Sequence, residues 1–176
     1  KTLAYLIPVI AKIKKLEAEN HVEKEGEPKA VILLPTRELA MQVYSIAKDL
    51  SHYAKLRIRK VLGGDKGKSL QNVFRSKIDI LITTPDRCLR AFNNKELSPA
   101  NLRYFIFDEA DQLLEPSFKT TVGEIAKKLT KPHMKIYLVS ASKPLDFDKI
   151  VTEFFPEKKF TTIGKGEENV LNHKVD

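Results

Sequence analysis

The stretch Tyr104-Phe105-Ile106-Phe107-Asp108-Glu109-Ala110-Asp111 decides how this chain folds. Its first half is aromatic and β-branched, the composition of a buried strand, and it runs without a break into three carboxylates. A strand that ends this way presents Asp108, Glu109 and Asp111 at one edge of a sheet. Mg2+ bound to phosphates takes hard oxygen ligands, usually through its waters, and an attacking water takes a carboxylate beside it. Asp108 suits the first task and Glu109 the second. Taken alone, an acidic pair after a strand reads more often as a solvated turn, so the decision rests on what surrounds it.

The unit of apolar strand, tight turn and helix recurs along the chain. Ala30 to Leu34 is a continuous apolar run closed by Pro35, as expected of a strand buried on both faces, and Leu39, Val43, Ile46, Ala47 and Leu50 then trace a helix. Arg57 to Leu62 reads as a strand ending at Gly63-Gly64. Ile78 to Thr83 is another, followed by a short helix from Arg87, and Lys135 to Val139 is the last. Phe118, Val122, Ile125 and Leu129 predict a helix before that last strand, and Phe147, Ile150, Val151 and Phe154 predict one after it. Lys14 to Lys29 is dominated by charges and contains Gly26 and Pro28, which predicts a frayed helix end and an exposed connection. The alternation predicts an α/β fold of three layers, a parallel sheet with helices on both faces. Functional residues in such sheets gather at the carboxyl ends of the strands.

The beginning of the chain fits that plan. Lys1-Thr2-Leu3 has the form of the end of a phosphate-binding loop, where lysine reaches the β and γ phosphates and the threonine hydroxyl joins Mg2+. Leu3, Leu6, Ile7, Ile10, Ile13 and Leu16 follow at the helical spacing such a loop requires. Two other turns have the makings of anion seats, and a third could admit a nucleic-acid backbone. Thr36 after Pro35 is placed to cap a helix whose amides can hold an anion, with Arg37 beside them. Thr84-Pro85-Asp86-Arg87 repeats the arrangement, with proline at the first helical position. Gly63-Gly64 permits close approach of another backbone, with Lys66 and Lys68 just downstream. Each of the three also reads as an ordinary turn.

Six motifs together carry a family resemblance. Lys1-Thr2-Leu3-Ala4-Tyr5-Leu6-Ile7-Pro8, Pro35-Thr36-Arg37-Glu38-Leu39-Ala40 with Gln42, Gly63-Gly64, Thr84-Pro85-Asp86-Arg87, Asp108-Glu109-Ala110-Asp111 and Ser140-Ala141-Ser142 stand in the order and spacing of DEAD-box ATP-dependent RNA helicases. The chain resembles that family over almost its whole length. The resemblance implies a RecA-like P-loop NTPase domain, the first of two, occupying residues 1–176 and truncated at its N-terminus. The strand and glycines before Lys1 and the adenine-reading segment would then lie outside it, and the piece is expected to be less stable than a whole domain.

The implied cofactors are ATP and Mg2+, with Lys1, Thr2, Asp108 and Glu109 on the nucleotide, Thr2 and Asp108 on the metal, and Glu109 deprotonating water. The implied partner is one RNA strand or short duplex, gripped by its sugar-phosphate backbone at Pro35, Thr36, Arg37, Gly63, Gly64, Thr84 and Arg87, largely without reading sequence. Ser140 and Ser142 are implied to bond the tetrad, with Asp111 in the same network, coupling nucleotide state to RNA. A second RecA-like domain would supply arginines, so residues 1–176 alone are expected to show little ATPase and no unwinding. Ribonucleoprotein partners and a role in ribosome assembly are expectations of the same kind. Two positions depart from the family, Asp86 where glycine is usual and Ser142 where threonine is usual. The first predicts a weakened RNA contact, the second a looser coupling. A non-catalytic RNA clamp or assembly scaffold is the competing reading, against which the intact Asp108 and Glu109 argue.

Composition sets the remaining bounds. The 176 residues, 42% hydrophobic, suffice for one core and are too few for two such domains. A formal charge of +8 from 31 basic and 23 acidic residues points to a polyanionic partner, though such a balance is also ordinary for a lysine-rich protein. The single cysteine, Cys88, excludes an internal disulfide and fits a reducing, intracellular compartment, with nucleus or nucleolus, cytoplasm and mitochondrion undistinguished. Leu3 to Ile10, the longest apolar stretch, is too short to span a bilayer, so no membrane partner is expected.

Overall fold

A computed structural model describes residues 1–18, 24–65 and 68–163. The elements in order are α1 (Thr2–Ala18), β1 (Ala30–Leu33), α2 (Arg37–Ala54), β2 (Ile58–Val61), α3 (Lys68–Phe74), β3 (Ile80–Thr83), α4 (Pro85–Asn93), β4 (Tyr104–Asp108), α5 (Ala110–Leu113), α6 (Pro116–Ala126), β5 (Lys135–Val139) and α7 (Phe147–Phe154). The five strands form one sheet in the order β2-β3-β1-β4-β5, and every pairing is parallel.

Alternation along each strand divides the core into two layers, because successive side chains point to opposite faces. Ala30, Ile32, Ile58, Ile80, Ile82, Tyr104 and Ile106 pack with α1 and α2 through Leu6, Val9, Ile13, Ala40, Val43 and Ala47. Val31, Leu33, Val61, Leu81, Phe105 and Phe107 pack on the other face, where Phe74, Phe92, Val122, Ile125 and Val151 come from α3, α4, α6 and α7. Both faces of β1, β3 and β4 are therefore buried, which is why these strands read as unbroken apolar runs. The edge strand β5 is half-buried.

Several expectations need correction. Leu3 and Ile7, counted in the apolar stripe of α1, are 49% and 55% exposed, so the buried face of that helix is carried by Tyr5, Leu6, Val9 and Ile13. Ile46 also faces outward. A short helix, α3, stands between β2 and β3 where none was expected. Leu129 lies beyond the end of α6.

The charged connection after α1 is not simply exposed. Residues 19–23 lie outside the described residues, but the Glu25 and Lys77 backbones form an antiparallel β-bridge, and Gly26, Pro28 and Lys29 are buried. Lys29 Nζ sits 3.0 Å from Asp79 Oδ1. Asp79, only 1% exposed, also accepts from Arg57 N at 2.7 Å and Arg57 Nε at 2.9 Å. Charge alone suggested solvent, whereas these charges compensate one another at the amino edge of the sheet.

Candidate functional site

The chain leaves β1 toward β2 and β3 on one side and later places β4 on the other, so the strand order reverses between β1 and β4. Crevices outside the carboxyl ends of strands at such a reversal are where open α/β sheets bind ligands. The start of α1 and the end of β4 meet at this edge. Lys1 Nζ lies 3.3 Å from Glu109 Oε1. From the next turn of α1, the Tyr5 hydroxyl donates to Asp108 Oδ2 at 2.7 Å. Asp108 is 3% exposed, and its Oδ1 accepts the Glu109 N–H at 2.9 Å.

Burial pushes the Asp108 carboxyl above the ordinary carboxylate range, with the Tyr5 hydroxyl and the Glu109 N–H offsetting part of that rise. Burial first, then the neighbouring Asp108 charge, pushes the Tyr5 phenol far upward, so Tyr5 keeps its proton and acts as donor. Glu109 adopts φ 53 and ψ 50, a left-handed conformation that strains a non-glycine residue by about 1 kcal/mol or more. This turn swings the chain from β4 into α5 and leaves the Glu109 side chain within reach of Lys1.

Beyond β5 a third segment joins. Ser142 Oγ donates to Asp111 Oδ2 at 2.7 Å, while Ser140 Oγ bonds within its own loop to the Ser142 carbonyl. Burial works against ionisation of Asp111, but the Ser142 hydroxyl and neighbouring donors outweigh it and hold the carboxyl below its usual range. Its other oxygen, Oδ1, is buried and has no hydrogen-bond partner among the described residues.

The two turns predicted as anion seats and the Gly63-Gly64 turn lie side by side at the ends of β1, β3 and β2. Thr36 caps α2, its Oγ1 accepting from Leu39 N at 3.3 Å. Thr84 stands at the cap position of α4 with Pro85 following, but its side chain makes no capping bond; its carbonyl accepts from Cys88 N at 2.9 Å. Pro35 is buried. Gly63 is open, since a Cβ there would meet nothing within 4 Å, and Gly64 takes φ +91, which a side chain would strain. Lys66 lies outside the described residues, as does the side chain of Lys68.

Asp65 ties these turns together. Its carboxylate accepts from Leu62 N at 2.9 Å and Arg37 Nη1 at 3.2 Å, and its carbonyl accepts from Arg87 Nη2 at 2.6 Å. Arg37 Nη1 also bonds the Gly63 carbonyl. Neither Asp65 nor Tyr5 was singled out as a functional candidate by sequence reasoning. Tyr5 was findable as the residue one helical turn past Thr2, on the face that looks toward the sheet. Asp65 carried only its place beside the double glycine.

The oxygens gathered here are of the kind a phosphate-bound hard cation takes. Asp108 retains lone pairs beyond the two bonds it accepts, Glu109 and Thr2 add oxygens, and Lys1 adds a positive charge. No group of three or more His, Cys, Asp or Glu able to hold a metal by themselves occurs among the described residues. Among those residues no helix is long and apolar enough to cross a membrane.

Comparison with known proteins gives a consistent picture. Residues 1–150 match the family profile described as DEAD/DEAH box helicase. The chain is 31% identical over 163 residues to DEAD-box ATP-dependent RNA helicase 39 of Arabidopsis thaliana, covering 88% of this chain and 26% of that protein. It is 37% identical over 154 residues to ATP-dependent RNA helicase DBP10 of Yarrowia lipolytica, covering 88% of this chain and 15% of that protein. A crystal structure of a hypothetical ATP-dependent RNA helicase from Sulfolobus tokodaii matches with a TM-score of 0.72 at 29% identity, over 90% of this chain and 43% of that one. The chain thus spans a minor part of the length of each of these relatives.

Proposed function

This chain belongs to the DEAD/DEAH box helicase family, and from that premise we propose that it is the ATP-binding domain of an ATP-dependent RNA helicase. The observation that carries the reading is the meeting of three distant segments at one sheet edge, where Lys1 faces Glu109, Tyr5 holds Asp108, and Ser142 holds Asp111.

In this reading Lys1 would hold the β and γ phosphates, and Thr2 and Asp108 would hold the metal, Asp108 through its waters. Bound Mg2+ supplies neutralisation of the phosphate charge that develops during transfer. Glu109 orients the attacking water and accepts its proton. The Lys1 ammonium now pairs with Glu109; a γ phosphate gives it a second anion to face, and Glu109 is released toward water. Pro35, Thr36, Arg37, Gly63, Gly64, Thr84 and Arg87 form a contiguous rim, proposed to grip one RNA strand by its backbone. Asp111, Ser140 and Ser142 are proposed to report nucleotide state to that rim, through β5 and its loop.

Arginines of a second RecA-like domain are proposed to complete the site, so residues 1–176 by themselves should show little ATPase and no unwinding. The work proposed is local duplex unwinding or ribonucleoprotein remodelling. Ribosome assembly is its proposed setting, because many members of the family act there.

The test is the ATPase rate of the full-length protein with and without single-stranded RNA, beside a Glu109→Gln variant. RNA stimulation that falls by about 10²-fold or more in the variant, with ATP binding retained, is expected of a lost general base. Hydrolysis indifferent to RNA, or undiminished by Glu109→Gln, would overturn the reading.

A further inference from the structure

The two arginines of the rim are not equivalent. Arg87 meets Asp65 only at its neutral carbonyl, so its charge is uncompensated there. Arg37 meets the Asp65 carboxylate, 3.2 Å from Nη1, and the Gly63 carbonyl holds the same nitrogen. The guanidinium lies over Gly64, where a Cβ would come within 3.5 Å of Nη1. Asp65 is itself fixed by its turn, its Oδ2 accepting from Leu62 N while its own N–H donates to the Leu62 carbonyl at 3.1 Å. The side chains of Arg37 and Asp65 are 46% and 29% exposed, so the pair sits at the surface where a ligand phosphate can reach it.

We propose that Asp65 holds the place of a phosphate on Arg37, so that RNA engages this rim by exchanging one anion for another. The proposal rests on the assignment of RNA to these turns. A carboxylate and a phosphate compete for the same guanidinium fork, since both offer paired acceptor oxygens to it. Because exposed ion pairs are weak, the exchange is shallow: Asp65 keeps Arg37 oriented and its charge masked, yet yields to a strand that also engages Arg87 and the two helix N-termini. A single phosphate or a loosely placed polyanion gains less from displacing it. Asp65 is thus a positioning residue that raises the threshold for productive RNA contact.

The experiment measures binding of a labelled single-stranded oligouridylate to the full-length protein over a salt titration. Asp65→Asn retains an acceptor for Leu62 N–H and removes the charge; Asp65→Ser does the same with a shorter side chain and serves if the first variant folds poorly. Removal of the competing carboxylate is expected to tighten binding about two- to fivefold, the scale of a surface ion pair. The slope of log affinity against log salt is expected to steepen by up to about 0.7, since no cation is taken up by a freed carboxylate when Arg37 moves to phosphate. In an Arg37→Ala background both effects should vanish, which a general gain in positive charge would not produce. Unchanged or weaker binding by the Asp65 variants, in a protein that does bind RNA, overturns the exchange alone and leaves Asp65 a turn-forming residue. Absence of RNA binding by the unsubstituted protein overturns the RNA assignment and the exchange with it.

Discussion

Asp108 is held from both sides by the protein itself, through Tyr5 on Oδ2 and the Glu109 amide on Oδ1. Tyr5→Phe keeps the ring that fills the core and removes the one donor to Oδ2 among the described residues. A hydrogen bond to a charged group contributes about 1.5–3 kcal/mol, so a stability loss of about 2 kcal/mol is expected in denaturant unfolding. In the proposed site, with its carboxylate free to turn, Asp108 would also hold a metal less well. Affinity for ATP should then fall in the presence of Mg2+ and stay unchanged without it, and equal affinities under both conditions would reduce Tyr5 to packing. Ser142 is a second point of control. Ser140→Ala combined with Ser142→Ala removes the donor to Asp111 Oδ2, on a carboxylate whose other oxygen already lacks a partner among the described residues. The double variant should spare ATP hydrolysis more than unwinding, and equal losses in the two assays would argue against a coupling role. The carboxylates of this site were legible because three of them follow an apolar strand. Tyr5 was not, since helical spacing assigns a side chain to a face and is silent on which acceptor its hydroxyl finds.

At the scale of elements, the helices that open at the rim carry competing demands. Asp86 lies exposed in the first turn of α4, where a negative charge favours the helix dipole. The same carboxylate stands beside Thr84 and Arg87, proposed to hold RNA phosphate. Asp86→Gly should therefore destabilise the domain by about 1 kcal/mol while tightening RNA binding, and RNA affinity unchanged across a salt titration would refute a repulsive role. The segment before β1 shows where element-level reading fails. Its charges and its Gly-Pro punctuation describe a surface loop, and strand and helix periodicities have no template for a loop that is pinned. Gly26 takes φ +65, its carbonyl accepts from Ser98 N at 2.9 Å, and a Cβ there would run into the backbone oxygen of Glu96. Gly26→Ala should cost more than about 2 kcal/mol, combining left-handed strain with a backbone clash, and lower the melting temperature by several degrees. A change of less than about 0.5 kcal/mol would mean that this loop moves aside freely.

Over the whole molecule the sheet has two chemically different edges. The carboxyl edge gathers the residues proposed to hold nucleotide and RNA. At the amino edge Asp79 fastens three strands by accepting from the Lys29 ammonium and from the Arg57 guanidinium and amide. The three layers were legible in the sequence because apolar runs of strand length alternate with helical stripes. The order β2-β3-β1-β4-β5 was not, because pairing depends on contacts between residues far apart, and neither was the ion cluster, whose members are 22 and 50 residues from Asp79. Burial works against ionisation of Asp79, but the Arg57 and Lys29 bonds prevail and hold its carboxyl below the ordinary range. A folded-state value below the unfolded one, about 3.9, means that this carboxylate stabilises the fold fully above that pH and loses its contribution as pH falls through the depressed value. Asp79→Asn removes the charge and weakens a buried pair, for an expected cost of about 3–5 kcal/mol at pH 7. Denaturant unfolding of both proteins at pH 7, 5 and 3 should then give curves that lie far apart at the first two values and draw together at the third. A gap that stays constant across the series would mean that packing at position 79, and not its charge, joins the three strands.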